Sequence, residues 1–264
     1  MRSTLAIARK ELSIYFTTPW AYVVFTAMVA VSSFFFLTFL QDFQKAQQMA
    51  KVYGWAQIPT EFKNLTDSVV VPLWNAITVI TLFVAPFLSM RLFAEEKREK
   101  TFELLMTVPV RPIEIVMGKY LGGLGAITAT LGLTIVFPVI LSIFGSSESG
   151  TALEWTTVLL GYGGLLLWGA TCLAIGMFIS ALTQSQMLAA VVTVVVLWLW
   201  MLLKGVTQSV EEPWRSIAGY LSFGEQLAPL HKGMLDASAP VFFGSVIVFC
   251  LFLTHRTVEA QRWT

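Results

Sequence analysis

A chain of 264 residues that is 56% hydrophobic and only 12% charged, with a mean hydropathy of +0.73, carries about half the charge of a soluble domain, which is roughly 25%. Its 17 basic and 16 acidic residues leave a net charge of +1, so it lacks the basic balance that nucleic-acid binding calls for. The two cysteines, Cys172 and Cys250, both fall inside apolar runs, which argues against a disulfide framework or a metal-ligand spacing.

Residues 2–18 precede the first apolar run. Leu5, Ala8, Leu12, Tyr15 and Phe16 form an apolar stripe at helical spacing, with Arg2 and Lys10 away from it. That pattern predicts a helix lying in the membrane interface. Crossing a ~30 Å hydrocarbon core at 1.5 Å per residue takes about 20 residues. An unpaired charge at its centre costs roughly 2.5–3.5 kcal/mol, so uncharged runs mark the spans. The runs predict spans over 20–40, 69–90, 120–144, 155–182, 187–203 and 239–254. Trp155 to Leu203 is uncharged throughout and long enough for two crossings, with Thr183–Gln186 ("TQSQ") as the turn between them. Pro86 and Pro138 fall inside spans, where neighbouring helices tolerate kinks. The first run is longer than the 7–15 residues of a signal-peptide core, so it reads as a retained span. The fold class is therefore an all-α membrane protein with six transmembrane helices, as one domain over residues 1–264.

Between the second and third spans lies a dense cluster of charge. Ala94–Pro112 ("AEEKREKTFELLMTVPVRP") holds eight charged residues: Glu95, Glu96, Lys97, Arg98, Glu99, Lys100, Glu103 and Arg111. The spacing predicts a helix over 91–108, with Thr101, Leu104, Leu105 and Val108 on one face and Glu96, Glu99, Lys100 and Glu103 opposite. Glu96 and Lys100 stand at the favourable i, i+4 spacing. Pro109 stops the helix, "PVRP" makes a stiff corner, and Pro112 suits the first turn of the next helix. A push on such an element would pass into the membrane helices. With the N-terminus cytoplasmic, Arg2, Arg9, Lys10, Arg91, Lys97, Arg98, Lys100, Arg111, Lys119, Arg256 and Arg262 lie inside, eleven in all. Six lie outside: Lys45, Lys51, Lys63, Lys204, Arg215 and Lys232. The positive-inside rule then places both termini in the cytoplasm.

On the outer side, Asp42–Asp67 forms a polar loop. Lys204–Ala239 holds a short helical face of Trp214, Ile217, Ala218 and Leu221 after Pro213, with Trp214 and Tyr220 suited to the headgroup region. This predicts interfacial or re-entrant outer helices, and the acidic residues Glu211, Glu212, Glu225 and Asp236 offer either a gate or a solvated loop. Glycines cluster in the third span (Gly122, Gly123, Gly125, Gly132) and the fourth (Gly161, Gly163, Gly164, Gly169, Gly176), which predicts close helix packing. His231 falls in the outer loop and His255 at the inner end of the sixth span, both as solvated or interfacial residues.

Met90–Gly122 ("MRLFAEEKREKTFELLMTVPVRPIEIVMGKYLG") resembles the cytoplasmic coupling segment of ABC-2 type permeases, with the permeases of gliding-motility-associated ABC systems nearest in layout. The resemblance rests on the acidic-basic run, Thr101-Phe102-Glu103-Leu104-Leu105, Pro109, and Ile115-Val116-Met117-Gly118-Lys119-Tyr120. The start "ARKEL…TPWAY" and the end "THRTVEAQRW" agree with it. Where that family commonly has glycine before the threonine, this chain has Lys100. The resemblance implies an exporter-type permease with a cytoplasmic coupling helix between spans two and three. Contact with a separate ATPase, present in two copies, would fall on Lys100, Glu103, Thr107, Pro109, Val110, Arg111 and Pro112. It also implies an N-terminal elbow helix carrying Leu5, Arg9, Leu12 and Tyr15, outer helices carrying Trp214, Ile217, Tyr220 and Leu221, and a second permease copy or homologue. The setting would be the inner membrane and its lipid.

No G-x-x-x-x-G-K-[ST] loop occurs: Gly118-Lys119-Tyr120 has no glycine five residues earlier and no hydroxyl after the lysine. ATP and its magnesium are therefore assigned to the partner ATPase, with no cofactor and no enzymatic activity in this chain. No ionisable residue lies at mid-depth in the predicted spans, which disfavours ion-coupled secondary transport or a channel. A membrane scaffold or mechanotransmitter, using the same ATPase contact to move an envelope partner, is the alternative.

Overall fold

The computed structural model describes residues 2–54, 64–101, 110–144, 153–207, 211 and 213–261, and every regular element among them is helical. Six helical stretches are long and apolar enough to cross a membrane. The first helix, α1 (Arg2–Thr17), is separated by Thr18 from Pro19, which opens α2 (Pro19–Tyr53) at a position where its missing N–H costs nothing. The first span was predicted to end at Leu40, yet α2 runs on to Tyr53. Residues 41–53 are rich in Gln, Ala, Lys and Met, all good helix formers, and Phe43 and Ala50 remain buried.

A π-helical turn (Thr66–Val70) leads into α3 (Val71–Ser89), which is followed after a single residue by α4 (Arg91–Arg98). The third crossing begins at Pro112, earlier than its apolar run suggests, as α5 (Pro112–Thr134), and continues as α6 (Val136–Phe144). The break at Ile135 sits just before Pro138, which has no N–H to offer the Thr134 carbonyl. Then come α7 (Trp155–Leu182) and α8 (Gln186–Thr207), joined by the extended backbone of Thr183 where "TQSQ" predicts a turn. Two short helices, α9 (Trp214–Leu221) and α10 (Phe223–His231), precede α11 (Ser238–Ala260), which runs six residues beyond the predicted end at Thr254.

Helix α7 is the hub, apolar on every side, as a helix surrounded by other helices should be. It packs against α3, α5, α8, α10 and α11. Its glycines make this possible. A Cβ at Gly161 would sit 2.4 Å from the Trp74 ring, one at Gly169 2.7 Å from Ile127, and one at Gly176 2.0 Å from Ser89 Oγ. The two spans at the rim, α2 and α8, bury only a narrow stripe each and turn Phe34, Leu37, Leu199 and Leu202 outward.

The pair α9–α10 folds back against α7 and α8. Phe223, at the start of α10, stacks on Trp168 with centroids 3.9 Å apart and meets Trp200 edge-on at 5.9 Å. Trp168 lies 14 residues before the end of α7 and Trp200 14 residues after the start of α8. At 1.5 Å per residue both stand about 21 Å from those helix ends. Phe223 is thus buried between α7 and α8, while Trp214, Ile217, Tyr220 and Leu221 stay exposed on α9. At the far end of α10, His231 is 3% exposed against the Trp74 ring, not solvated as the outer-loop reading has it. Burial pushes its pKa down to about 4.

Candidate functional site

The end of α11 lies on the same face of the six-crossing bundle as α1, and on that face α1, α4 and the starts of α5 and α8 meet. Helix α1 does not lie free on a membrane surface. It packs lengthwise on α5, and three glycines set the approach. A Cβ at Gly118 would come within 2.8 Å of Ile7, at Gly122 within 2.5 Å of the Glu11 Cβ, and at Gly125 within 2.9 Å of Leu12. The predicted apolar stripe is accordingly rotated. Leu5 is 66% exposed, Arg9 is exposed, Leu12 is half-buried and Tyr15 is buried, while the charged Glu11 is 7% exposed in the joint. The Tyr15 hydroxyl donates to the Leu88 carbonyl at 2.6 Å, tying α1 to the end of α3, and burial raises its pKa well above the ordinary tyrosine range.

The charge cluster does not form the helix predicted over 91–108. Helix α4 ends at Arg98, and Lys100 has φ of 56°, in the left-handed region. This is the position where the resembling family commonly has glycine, and lysine takes the strained turn here at a cost of roughly 1–2 kcal/mol. Glu103, Thr107 and Pro109 lie outside the described residues. Val110 packs against the core, Arg111 is exposed and extended, and Pro112 opens α5 as the sequence predicts.

Helix α4 is held at three points. The Ser180 hydroxyl of α7 accepts from the amides of Phe93 (3.2 Å) and Ala94 (3.0 Å) and donates to the Met90 carbonyl (3.0 Å). A side chain from another helix thus caps the first turn of α4, which has no cap of its own. The Lys97 ammonium donates to the Ala181 carbonyl at the end of α7, where helix carbonyls lack partners and cations are favoured. Gln261, near the C-terminus, donates to the same oxygen at 3.4 Å.

The third hold is ionic. Lys119 of α5 is 2% exposed, with its ammonium 2.8 Å from Glu11 of α1 and 2.7 Å from Glu96 of α4, and 5.4 Å from the Phe93 ring centroid. Glu96 therefore pairs across the fold and not with Lys100 four residues on. Beside it, Arg91 grips Glu95 through two hydrogen bonds of 2.8 and 2.9 Å.

Two adjoining clefts open on this face and share Tyr15, Arg91 and Glu95. One of about 420 Å³ has an apolar floor of Ala21, Val24, Phe87 and Leu88. The other, about 310 Å³, is rimmed by Lys10, Glu99 and Thr101. The structure brings the elbow residues and the base of the charge cluster together, and separates both from Trp214, Ile217, Tyr220 and Leu221 at the opposite end. Sequence reading missed Glu11, Glu96, Lys119 and Ser180 as partners. The available signal was Lys119 alone, a lysine between Gly118 and Tyr120 at the edge of a span with no charged neighbour in sequence. No group of three or more His, Cys, Asp or Glu side chains able to hold a metal occurs among the described residues.

Residues 5–232 match the family model described as ABC-2 family transporter protein. No curated protein matches the chain.

Proposed function

The chain belongs to the ABC-2 transporter family, and from that premise we propose that it is the permease subunit of an exporter-type ABC transporter, driven by separate ATPase subunits that dock on residues 94–112. Two ATPases would serve a pair of permeases, and ATP and magnesium would be bound by those partners. The membrane is the inner membrane, with both termini and α4 in the cytoplasm, because eleven of the 17 basic residues then lie inside.

The observation that carries this reading is the triple hold on α4. An element bonded to α7 through Ser180 and Ala181, and to α1 and α5 through Lys119, passes its motion to each of them for as long as those bonds stay closed. Force delivered by an ATPase at Lys100, Arg111 and the segment between them would enter α3 and α5 directly, since α4 follows α3 after one residue and Pro112 starts α5. Exposed charges at the rim steer docking more than they hold it. The test is co-purification with the ATPase in lipid discs after replacing Pro109 and Arg111 with alanine. Loss of ATPase binding or of transport-linked hydrolysis is expected. Unchanged docking and unchanged transport would sink the proposal.

A further inference from the structure

Three blocks that are far apart in sequence converge on one buried ammonium: "ARKEL" supplies Glu11, "AEEK" supplies Glu96, and "MGKY" supplies Lys119. Two carboxylates share a single cation, so the trio carries a net charge of −1 in a place where unpaired charge is costly. Its two arms are unequal. The Glu11 side chain is 9% exposed, and its Cβ lies against the groove at Gly122, so its carboxylate is enclosed where α1 meets α5. The Glu96 side chain is 17% exposed, on a helix of only eight residues, and its second carboxylate oxygen is buried with no hydrogen-bond partner, so leaving Lys119 would let it hydrate. A carboxylate closer to water and only half satisfied by the protein loses less on parting from the lysine. The other charged groups around the trio are the Arg91–Glu95 pair and, at the cleft rim, Lys10 and Glu99.

We propose that Lys119 is a positioning residue with one fixed and one releasable arm: it stays on Glu11, keeping α1 and α5 as one body, while its bond to Glu96 opens and closes as α4 moves. The inference rests on the reading of α4 as the element an ATPase displaces, but its test needs only the permease. Lys119 then decides whether motion of α4 carries the elbow helix with it. With both arms closed, α1, α4 and α5 move together; with Glu96 released, α4 still follows α7 through Ser180 and Lys97 but no longer carries α1 and α5.

The experiment uses the full chain in lipid discs without ATPase. Spin labels are placed at Lys10→Cys and Glu99→Cys, which are exposed on the rim of the same cleft, and the native Cys172 and Cys250 are buried. Double electron–electron resonance reads the distance between α1 and the end of α4. The otherwise unsubstituted chain gives one principal distance. Glu96→Gln is expected to add a longer-distance population about tenfold above its level in that chain, equivalent to about 1.4 kcal/mol. Lys119→Arg, which keeps a cation able to hold two carboxylates, is expected to preserve the single distance. The neutral triple variant Glu11→Gln, Lys119→Met, Glu96→Gln has no buried charge left unpaired, so it separates folding from positioning. It too is expected to show the longer population. A single unchanged distance in both Glu96→Gln and the triple variant would overturn the inference, because the trio would then only balance charge. ATPase that fails to bind this face would overturn the docking reading and leave the distance result as decisive as before.

Discussion

The glycines of α5 allow two identical substitutions to be set against each other. At Gly122 a new Cβ would lie 2.5 Å from the Glu11 Cβ and 3.1 Å from the Ala8 carbonyl oxygen. Neither neighbour is the end of a flexible side chain, so α1 must shift outward by about 1 Å to reach ordinary contact. Overpacking of this kind costs ~1–3 kcal/mol, and the shift also stretches the 2.8 Å bond from Lys119 to Glu11. At Gly132, ten residues along the same helix, nothing lies within 4 Å of the new methyl. There alanine only removes the backbone freedom of glycine, a gain of ~0.5–1 kcal/mol. Cys172 and Cys250 are buried in spans, so a thiol-reactive fluorophore reports unfolding of detergent-purified protein. With ~2–4 °C per kcal/mol at this chain length, Gly122→Ala should lower the apparent Tm by about 5 °C and Gly132→Ala should raise it by about 2 °C. The reasoning is refuted if the two variants move in the same direction, or if Gly122→Ala leaves the Tm where it was.

Lys100→Gly should relieve the positive φ of 56° and stabilise the end of α4 by about 1 kcal/mol, read as slower amide exchange over residues 95–100. Lys100→Val should do the opposite, and equal exchange in the two variants would show that the turn carries no strain. His231, held neutral by burial with a pKa of about 4, is unprotonated in both folded and unfolded forms above pH 6.5. As pH falls from 6.5 to 4 the undocked form takes up a proton first, so docking of α10 should weaken by up to ~3 kcal/mol and then level off. Amide exchange in α10 against pH checks this, and a profile that His231→Gln leaves unchanged would count against it.

The number and order of the spans were legible because charge is so costly in hydrocarbon that its absence alone marks them. Span ends were not, because helix propensity does not stop where apolarity does. Residues 41–53 of α2 are largely polar, and residues 112–119 of α5 include the charged Glu114 and Lys119, yet both stretches are helical and carry buried side chains such as Phe43 and Lys119. The outer helix at Trp214 and the turn at "TQSQ" followed from short-range chemistry that a single sequence displays. The end of α4 did not. The amphipathic pattern from Thr101 to Val108 favours a helix, but Glu99 and Lys100 leave helical geometry before it begins.

What the sequence could not display is which charges belong to one another. Glu96 has Lys100 four residues away, and local helix electrostatics alone would pair them for a few tenths of a kcal/mol. Lys119 offers more because it is buried. Removed from water, its ammonium needs charged or hydrogen-bonding partners, and the carboxylates of Glu11 and Glu96, delivered by two other helices, supply them. One of these, Glu11, can be delivered because Gly118, Gly122 and Gly125 leave α5 without side chains along one edge. The glycines and the ion trio are therefore one device. Absent side chains let α1 come close enough for a charge to be shared, and the shared charge joins α1 to α4. A lysine placed on a residue count at the edge of a span reads as a topology signal, and its second role becomes visible only when the groove beside it is known.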